Sequence, residues 1–294
     1  MFLISGSTGS LGRQIVDEFL TRGLPVRALV RDPSQRQAFE AAGAEAAVGN
    51  LKDPDSLDRA CRGVDVVLST ASATRREDDT VENVDMRGTQ NLADAARRTG
   101  ARRFVFVSTN GASPESPVPV FRAKAAAEAH IMAGGLEYAI LQPEAFMDIW
   151  FGMLIEMPMA QGMPVTLVGE SRRRHSFIAQ RDVAAFAAAA ALSPGTLRET
   201  VTLGGPDAIT FREAAEAYAG AAGRPLAIRS VAPGEPIPGL PPVVWGIAAG
   251  LESYGSDVPM EATARRFGVR PTGYRDFIRG RVTALAGSTA APSP

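Results

Sequence analysis

Short apolar runs alternate with amphipathic stretches through the first half of the chain. Runs rich in Val, Ile, Leu and Phe predict strands, and the helical repeats between them predict helices. The predicted strands are 1–5, 24–30, 44–48, 64–68, 103–107 and 138–141. The predicted helices are 13–22, 53–61, 80–99 and 119–133, and Thr80 is a suitable N-cap for the third of them. Almost continuously apolar strands, each followed by a helix, indicate a parallel, doubly wound sheet in an α/β fold.

The pattern becomes less regular after residue 143. Segment 145–159 predicts a helix rich in Met, Phe and Trp, and short strands follow at 165–168 and 176–178. Later segments predict helices at 182–192 and 211–222, strands at 201–203 and 226–228, a proline-rich loop at 232–242, and helices near 243–254, 260–267 and 274–284. We therefore predict a first domain at 1–143, with elements near 180–204 packing back on it. A smaller C-terminal region at 144–285 and a disordered tail at 286–294 complete the prediction.

Composition and charge exclude several classes of protein. The 294 residues carry a formal net charge of −1, which does not indicate a nucleic-acid or membrane-surface partner. A single cysteine, Cys61, and two histidines argue against a disulfide framework and against a metal site. The apolar N-terminal run is too short for a signal peptide or a membrane span, so we expect a cytoplasmic monomer or homodimer.

A glycine-rich turn follows the first predicted strand directly. Its sequence is Gly6-Ser7-Thr8-Gly9-Ser10-Leu11-Gly12, and a predicted helix begins immediately after it. In such a strand–turn–helix unit, Gly6 permits the tight turn, Gly9 lets the backbone approach a pyrophosphate, and Gly12 lets the helix pack on the sheet. The first amides of the helix then face the phosphates. This context predicts a Rossmann-type dinucleotide site, and the alternative is a glycine turn that binds nothing.

The residue at the end of the second predicted strand indicates which dinucleotide to expect. NAD sites usually place an acidic residue there, which accepts a hydrogen bond from the ribose 2′-hydroxyl. This chain has Arg31 instead, followed by Ser34 and Gln35 at the start of the next helix. A guanidinium pairs with a 2′-phosphate, and the two following side chains add hydrogen-bond donors. We therefore predict NADP(H) as the cofactor, and the alternative is that Arg31 is one of many surface arginines.

Several motifs along nearly the whole chain resemble the NmrA-like family of atypical short-chain dehydrogenase/reductases. They are SGSTGSLG, RALVRDPSQ, GNLKDPDSL, GVDVVLSTAS, NVDMRGTQNLADAARRTGARRFVFVS, FRAKAAAE, GLEYAILQPEAFMD, HSFIAQRDVA and VTLGGPDAITFREAAE. The resemblance implies an NADP(H)-binding Rossmann domain with a small substrate-side region. It also implies cofactor contacts by position: adenine at Asn50 and Leu51, ribose and phosphates at Thr70, Ala71 and Ser72, and nicotinamide at Pro143 through Phe146.

The chain departs from the family pattern at the position that usually supplies a proton. Typical short-chain reductases pair a tyrosine with a lysine four residues later, and the tyrosine protonates the carbonyl oxygen. Here the segment reads Phe121-Arg122-Ala123-Lys124, so the spacing is shorter and the aromatic ring carries no acidic proton. The family directs a lysine at the nicotinamide ribose, and the only other lysine in this arginine-rich chain is Lys52. Lys124 is therefore our first catalytic candidate, and the alternative is a solvated helix lysine.

Two further polar residues are candidates for the active site. His175 ends an arginine run just before a predicted strand, and the resemblance places this edge near the substrate, where an imidazole can donate a proton. The alternative is a surface histidine beside solvated arginines. Ser108 follows the fifth predicted strand at the carboxyl edge of the sheet, where its hydroxyl can contact the cofactor or a substrate oxygen. The alternative for Ser108 is capping of the loop backbone.

These observations together predict an NADPH-dependent oxidoreductase. The methionine-rich helix after residue 145 offers an adaptable apolar surface for flat ligands, although ordinary core packing explains it equally well. We expect hydride transfer to a small apolar or aromatic acceptor, such as a quinone, an enone or an aromatic secondary metabolite. Such acceptors can take their proton from water or Lys124, so the missing tyrosine is tolerable. The alternative is a non-catalytic NADP(H)-sensing regulator that binds the cofactor and a protein partner without turnover.

Overall fold

The computed structural model describes residues 1–73 and 78–289. Its strands are β1 Phe2–Ser5, β2 Val26–Val30, β3 Glu45–Val48, β4 Val66–Ser69, β5 Arg103–Val107, β6 Glu137–Pro143, β7 Val165–Val168, β8 Arg198–Leu203 and β9 Ile228–Val231. Its helices are α1 Ser10–Thr21, α2 Arg36–Ala41, α3 Pro54–Cys61, α4 Arg87–Arg98, α5 Pro119–Ala133, α6 Met147–Phe151, α7 Met157–Ala160, α8 Gln180–Leu192, α9 Phe211–Ala222, α10 Pro242–Ser253, α11 Glu261–Phe267 and α12 Tyr274–Thr289. Within these ranges, no helix is both long enough and apolar enough to cross a membrane.

The chain divides into two compact units. The first unit comprises Met1–Pro143, Gln180–Leu203 and Arg266–Val269. The second unit comprises Glu144–Ala179, Gly204–Arg265 and the described residues from Arg270 onward. Helix α12 continues to Thr289, into the segment predicted as a disordered tail. The remainder of that predicted tail, 290–294, lies outside the described residues.

Seven strands of the first unit form one parallel sheet in the order β3-β2-β1-β4-β5-β6-β8. This arrangement confirms the predicted doubly wound α/β fold. Strand β1 lies between β2 and β4, and Ser5 at its carboxyl end is in register with Ser69. Ligands of such sheets bind beyond the carboxyl ends of the strands, at the point where the strand order reverses. The glycine turn after β1 therefore lies where the fold itself places a ligand.

Burial explains why the central strands are mostly apolar. All residues of β4 and β5 are buried, whereas the edge strand β3 leaves its first and last residues exposed. The first residue of β5, Arg103, is also fully buried, and its guanidinium lies 2.8 Å from the carboxylate of Glu137. It donates further hydrogen bonds of 2.9 Å to the carbonyls of Ala190 and Ser193. The cation thus satisfies carbonyl groups at the C-terminus of α8.

The segment predicted as a helix from Thr80 forms, but its first turn is wider than an α-helix. The hydroxyl of Thr80 accepts a hydrogen bond from the Asn83 N–H at 3.1 Å, which confirms the predicted N-cap. Residues Val81–Met86 then form a π-helical turn before α4 begins. Such turns recur at functional sites. This one carries Asp85, whose side chain is completely buried.

The second unit contains a small parallel sheet of β7 and β9 and several helices. The helix predicted at 145–159 is divided into α6, a π-helical turn at Gly152–Glu156, and α7. The strand predicted at 176–178 was wrong, because this segment finds only isolated bridges, such as Phe146 with Ile178, and no partner of strand length. The strand predicted at 226–228 lies instead at Ile228–Val231, where it pairs with β7.

Aromatic rings form the centre of the second unit. The ring of Phe151 lies 5.1 Å from Phe177, 6.3 Å from Tyr218 and 6.2 Å from Phe277, in edge-to-face contacts. Buried in the same core are Met147 and Met159, so this part of the methionine-rich segment serves core packing.

Candidate active site

The glycine turn has the backbone geometry that a bound pyrophosphate requires. Gly6 has φ +79°, and a Cβ there would lie 2.6 Å from Oγ1 of Thr70. A Cβ on Gly12 would lie 2.0 Å from the Gly6 carbonyl oxygen, so α1 can pack this closely only with glycine. A Cβ on Gly9 meets only one atom, at 3.3 Å. Gly9 is also the N-cap of α1 and supplies no capping side chain, so the turn leaves space and helix amides for a phosphate group.

A cleft lies beside this turn in the first unit. It brings together nine of the residues predicted to bind the cofactor: Gly6, Thr8, Gly9, Arg31, Asn50, Leu51, Thr70, Ala71 and Ser72. It is also lined by residues that the sequence analysis did not select, among them Asp79 and Val84. The strand ends of β1, β2 and β4 thus contribute to one cavity, as the parallel sheet requires.

Other residues of the predicted motif hold the turn in place. Ser7 is buried, and its hydroxyl donates a hydrogen bond of 2.8 Å to the Leu29 carbonyl. The Ser10 hydroxyl donates a hydrogen bond of 2.7 Å to the side-chain oxygen of Gln180 in α8. Both hydroxyls therefore bind protein groups rather than the cleft.

Two residues predicted near the cofactor lie at the margins of this region. Leu11 is half-buried in the first turn of α1. Ser34 is exposed in the short 3₁₀ turn after β2, and its N–H donates a hydrogen bond of 2.9 Å to the Asp32 carboxylate. Neither is among the residues that line the cleft, so their predicted contacts stay predictions.

Hydrogen bonds hold the turn that is predicted to contact the adenine. The Asn50 N–H donates a hydrogen bond of 3.0 Å to the Ser56 hydroxyl, and its side-chain oxygen accepts one of 3.0 Å from the Lys52 N–H. The carbonyl of Leu51 accepts a hydrogen bond of 2.9 Å from the Asn91 side chain. The side-chain oxygen of Asn50 therefore serves to hold this turn.

The cationic end of the cleft contains a carboxylate. The Arg31 guanidinium forms an ion pair with Asp79, and the ammonium of Lys52 contacts the same carboxylate at 3.1 Å. Burial alone would raise the pKa of Asp79, but hydrogen bonds from Arg31 and Lys52 outweigh it and hold that pKa below its ordinary value. Asp79 belongs to no motif, and an acidic residue in a connection gives no signal in sequence alone.

Lys124 lies buried on α5, not solvated, which excludes the alternative of an exposed helix lysine. Its ammonium donates a hydrogen bond of 3.3 Å to the Val107 carbonyl and lies 5.0 Å from the centre of the Phe106 ring. The nearest carboxylate oxygen belongs to Asp85, at 3.8 Å. Burial lowers the pKa of Lys124, and the charges of Asp85 and Glu128 only partly oppose this effect. The ammonium is therefore an easier proton donor than an exposed lysine.

Asp85 connects Lys124 with the loop that follows β4. Its carboxylate accepts hydrogen bonds from the Ser72 hydroxyl at 2.7 Å and from the Ala73 N–H at 2.9 Å. Asp85 is not among the residues predicted from sequence, although it lies within the motif NVDMRG. A charged residue between Val84 and Met86, both apolar, was the available signal.

The hydroxyl of Ser108 is buried and finds no hydrogen-bond partner among the described residues. Ser108 follows Val107, the residue whose carbonyl receives the Lys124 ammonium. Its N–H is used in a hydrogen bond of 2.7 Å to the Leu141 carbonyl. A buried hydroxyl without a partner is costly, so this group is suited to a bound ligand at the carboxyl end of β5.

Position 121 provides packing only. The Phe121 ring lies 3.4 Å from where a Cβ on Gly111 would be, and Gly111 has φ +85°. The ring therefore covers the turn after β5. A phenyl ring has no proton to transfer, so Lys124 stands without the usual aromatic acid.

His175 lies in the second unit and is buried, with 1% of its surface exposed, which excludes the surface alternative. Its Nε2 lies 2.8 Å from the Leu251 carbonyl oxygen and donates to it. Its Nδ1 has no hydrogen-bond partner among the described residues and lies 3.8 Å from Oε2 of Glu144. The carboxylate of Glu144 accepts a hydrogen bond of 2.5 Å from the Ser256 hydroxyl. The Nδ1 atom therefore lies near a carboxylate without a hydrogen bond to it.

The residues predicted to border the nicotinamide belong to different units. Pro143 ends β6 in the first unit, and its carbonyl accepts a hydrogen bond of 3.0 Å from the Asn110 N–H. Phe146 is the N-cap of α6 in the second unit and forms an isolated bridge with Ile178. Their contact with a nicotinamide stays a prediction.

Comparison with known proteins identifies relatives across most of the chain. The sequence model of the NAD(P)H-binding family matches residues 6–194. The NAD(P)H azoreductase of Xenophilus azovorans is 32% identical over 228 residues, which cover 77% of this chain and 75% of that protein.

Solved structures extend the likeness to the whole fold. The NADPH-dependent quinone oxidoreductase QOR2 of Escherichia coli, complexed with NADPH, superimposes with a TM-score of 0.80 at 20% identity and covers 97% of this chain and 100% of that one. The triphenylmethane reductase of Citrobacter sp., complexed with NADP(H), has a TM-score of 0.80 at 20% identity and covers 96% and 100% of the two chains. At this identity the two structures establish a shared fold.

Proposed function

From the premise that this chain belongs to the NAD(P)H-binding family and is an NAD(P)H-dependent reductase, we propose that it transfers hydride to a small apolar, conjugated acceptor. Quinones, azo compounds and triphenylmethane dyes are the favoured classes. The bound cofactor supplies the hydride. The acceptor takes the hydride at an electron-poor atom. The anion that forms from a neutral acceptor, such as a quinone or an azo compound, then takes a proton from Lys124 or water.

The observation that carries this proposal is the composition of the site after β5. Lys124 is buried with a lowered pKa, the neighbouring Ser108 hydroxyl lacks a partner among the described residues, and position 121 is Phe. A simple ketone needs a positioned acid as its oxygen becomes an alkoxide. A conjugated acceptor spreads the added charge over many atoms, so it has less need of a phenol. The site therefore suits conjugated acceptors better than isolated carbonyls.

Three known reductases support this choice by their acceptors. Their names specify an azo compound, a quinone and a triphenylmethane dye. All three acceptor classes are conjugated and largely apolar. The fold is common to them, and the chemistry of this chain's own site agrees with the same class of acceptor.

We propose the following cofactor contacts. The glycine turn and the first amides of α1 hold the pyrophosphate, Arg31 binds the 2′-phosphate of NADP(H), and Asn50 with Leu51 contacts the adenine. The segment Thr70, Ala71 and Ser72 follows the ribose and phosphates, while Lys124 and Ser108 hold the nicotinamide ribose or the acceptor. His175, whose Nδ1 lies beside Glu144 and has no hydrogen-bond partner in the described part of the chain, is the second catalytic candidate.

The test is NAD(P)H oxidation followed by nicotinamide absorbance, with quinones, azo dyes, triphenylmethane dyes and enones as acceptors. Each conjugated acceptor is matched with a saturated ketone of similar size. We expect turnover with at least one conjugated class and at most slow turnover with the ketones. Tight cofactor binding without oxidation by any acceptor would contradict the proposal and favour the NADP(H)-sensing alternative. Faster turnover of the ketones would contradict the assigned acceptor class.

A further inference from the structure

One buried carboxylate contacts both cations at the edge of the cofactor cleft. The Arg31 guanidinium pairs with one oxygen of Asp79, and the Lys52 ammonium lies 3.1 Å from the other. Lys52 also contacts Asp78 at 2.7 Å. The Asp79 side chain is only 1% exposed, against 34% for Arg31 and 26% for Lys52. Asp79 is therefore the inner member of this cluster, and it lines the cleft together with Arg31.

The charges of this cluster are balanced without any ligand. Two cations face two carboxylates, and the pKa of Asp79 lies below its ordinary value despite burial, because Arg31 and Lys52 donate hydrogen bonds to it. Asp79 is consequently ionised at neutral pH. A phosphate that approaches Arg31 meets a guanidinium that already has a partner, and it also meets the negative charge of that partner.

We propose that Asp79 competes with the cofactor's 2′-phosphate for Arg31 and so limits the preference of this protein for NADP(H) over NAD(H). The inference rests on the proposed role of Arg31 as the 2′-phosphate ligand. A 2′-phosphate must displace or share the guanidinium and tolerate a nearby carboxylate. A 2′-hydroxyl has neither difficulty, because it can donate a hydrogen bond to a carboxylate oxygen. The protein should accordingly accept both cofactors, with a smaller preference for NADP(H) than Arg31 alone would produce.

A positioning role for Asp79 would have the opposite effect on NADP(H) binding. If the carboxylate served to hold Arg31 in place for the phosphate, its removal would weaken NADP(H) binding. The exchange Asp79→Asn separates the two ideas, since the amide keeps the shape and can still accept a hydrogen bond but carries no charge. Asp78→Asn is the matched control, because Asp78 contacts Lys52 in the same cluster and its side chain is 72% exposed.

The experiment measures dissociation constants by calorimetry for NADPH, NADH, adenosine 2′,5′-bisphosphate and AMP. The last two probes differ only in the 2′-phosphate and need no turnover. For Asp79→Asn we expect about five- to tenfold tighter binding of NADPH and of the bisphosphate, the scale of a partly exposed ion pair plus a removed repulsion. Binding of NADH and AMP should change by no more than about threefold, and Asp78→Asn should shift every constant by less than about threefold.

The outcomes distinguish this inference from the proposed function. If Asp79→Asn weakens NADPH or leaves it unchanged while Arg31→Ala weakens it about tenfold, the competition is refuted and Arg31 keeps its role. If Arg31→Ala has no effect on NADPH, the assignment of Arg31 itself is refuted. Equal tightening of NADPH and NADH would mean a general gain of positive charge, which also overturns the inference. Thermal unfolding of each variant without cofactor verifies that it is folded.

Discussion

Replacing Lys124 by Met removes the buried ammonium and keeps a side chain of similar length. In the structure the ammonium donates one hydrogen bond to the Val107 carbonyl and lies 3.8 Å from Asp85. Asp85 keeps its hydrogen bonds from Ser72 and Ala73, so the variant should fold. A group that orients a ribose or supplies a proton contributes about 10²-fold or more, so kcat/KM should fall by about that factor.

The pH dependence gives a sharper test of the same residue. Burial lowers the pKa of Lys124 from its ordinary value of 10.5. If the ammonium form is the active one, kcat/KM should decline as pH rises through this lowered pKa, earlier than an ordinary lysine would allow. Lys124→Arg stays charged throughout, so its residual activity should lack this alkaline decline.

The lowered pKa of Lys124 also determines how the free energy of unfolding changes with pH. Between the lowered pKa and 10.5 the unfolded lysine holds a proton that the folded one has released. The free energy of unfolding should therefore increase as pH rises through this window, and Lys124→Met should remove that increase. Chemical denaturation at several pH values measures it.

The assay is steady-state reduction of whichever conjugated acceptor the wild type accepts, with cofactor affinity measured separately by calorimetry. Phe121→Leu is the control on the same helix, and its activity should stay within about tenfold because the ring only packs. Full kcat/KM in Lys124→Met would show that hydride transfer here needs no ammonium. An alkaline decline that persists in Lys124→Arg would assign the titration to another group.

Three further outcomes follow from the geometry. Gly9→Val should fold, because its Cβ meets only the Gly6 carbonyl at 3.3 Å, yet lose cofactor binding in calorimetry; retained binding would place the nucleotide elsewhere. Arg103→Met removes the closer of two cations beside Glu137, since Arg102 lies 3.6 Å away, and it takes the donor from the Ala190 and Ser193 carbonyls. The unfolding free energy should fall by about 3 kcal/mol in urea denaturation, whereas a change near zero would mean that these groups are easily rehydrated. Ser108→Ala should leave stability unchanged and raise a KM by about three- to tenfold, and an unchanged KM for both cofactor and acceptor would exclude ligand contact.

The fold could be predicted because its signals are local. Apolar strands and the glycine turn each specify backbone geometry within a few residues, and β1 through α1 forms as the pattern indicates. The predicted boundaries of helices and strands differed from the observed ones where packing against neighbouring elements determines them. Residues 176–178 have a strand-like sequence, but no neighbouring strand pairs with them beyond isolated bridges.

The partners of the candidate residues could not be predicted in the same way. The type and position of Arg31 and Lys124 follow from the strand and helix that carry them, but their counter-ions come from a distant segment. Arg31 pairs with a residue 48 positions later, and Lys124 faces Asp85, which precedes it on another helix. No periodic pattern records such pairs, because they depend on how the elements pack together.

Both counter-ions belong to the same connection between β4 and α4. Asp79 neutralises Arg31 at one position in the cleft, and Asp85 faces Lys124 while it accepts hydrogen bonds from the loop after β4. A nearby carboxylate has opposite effects on these two groups. It repels a 2′-phosphate, whereas it stabilises the charged form of an ammonium that donates a proton. Under the two proposals, one connection would adjust both cofactor preference, through Asp79, and the acidity of Lys124, through Asp85. Variation in this segment can change either property while the glycine turn and the sheet stay the same.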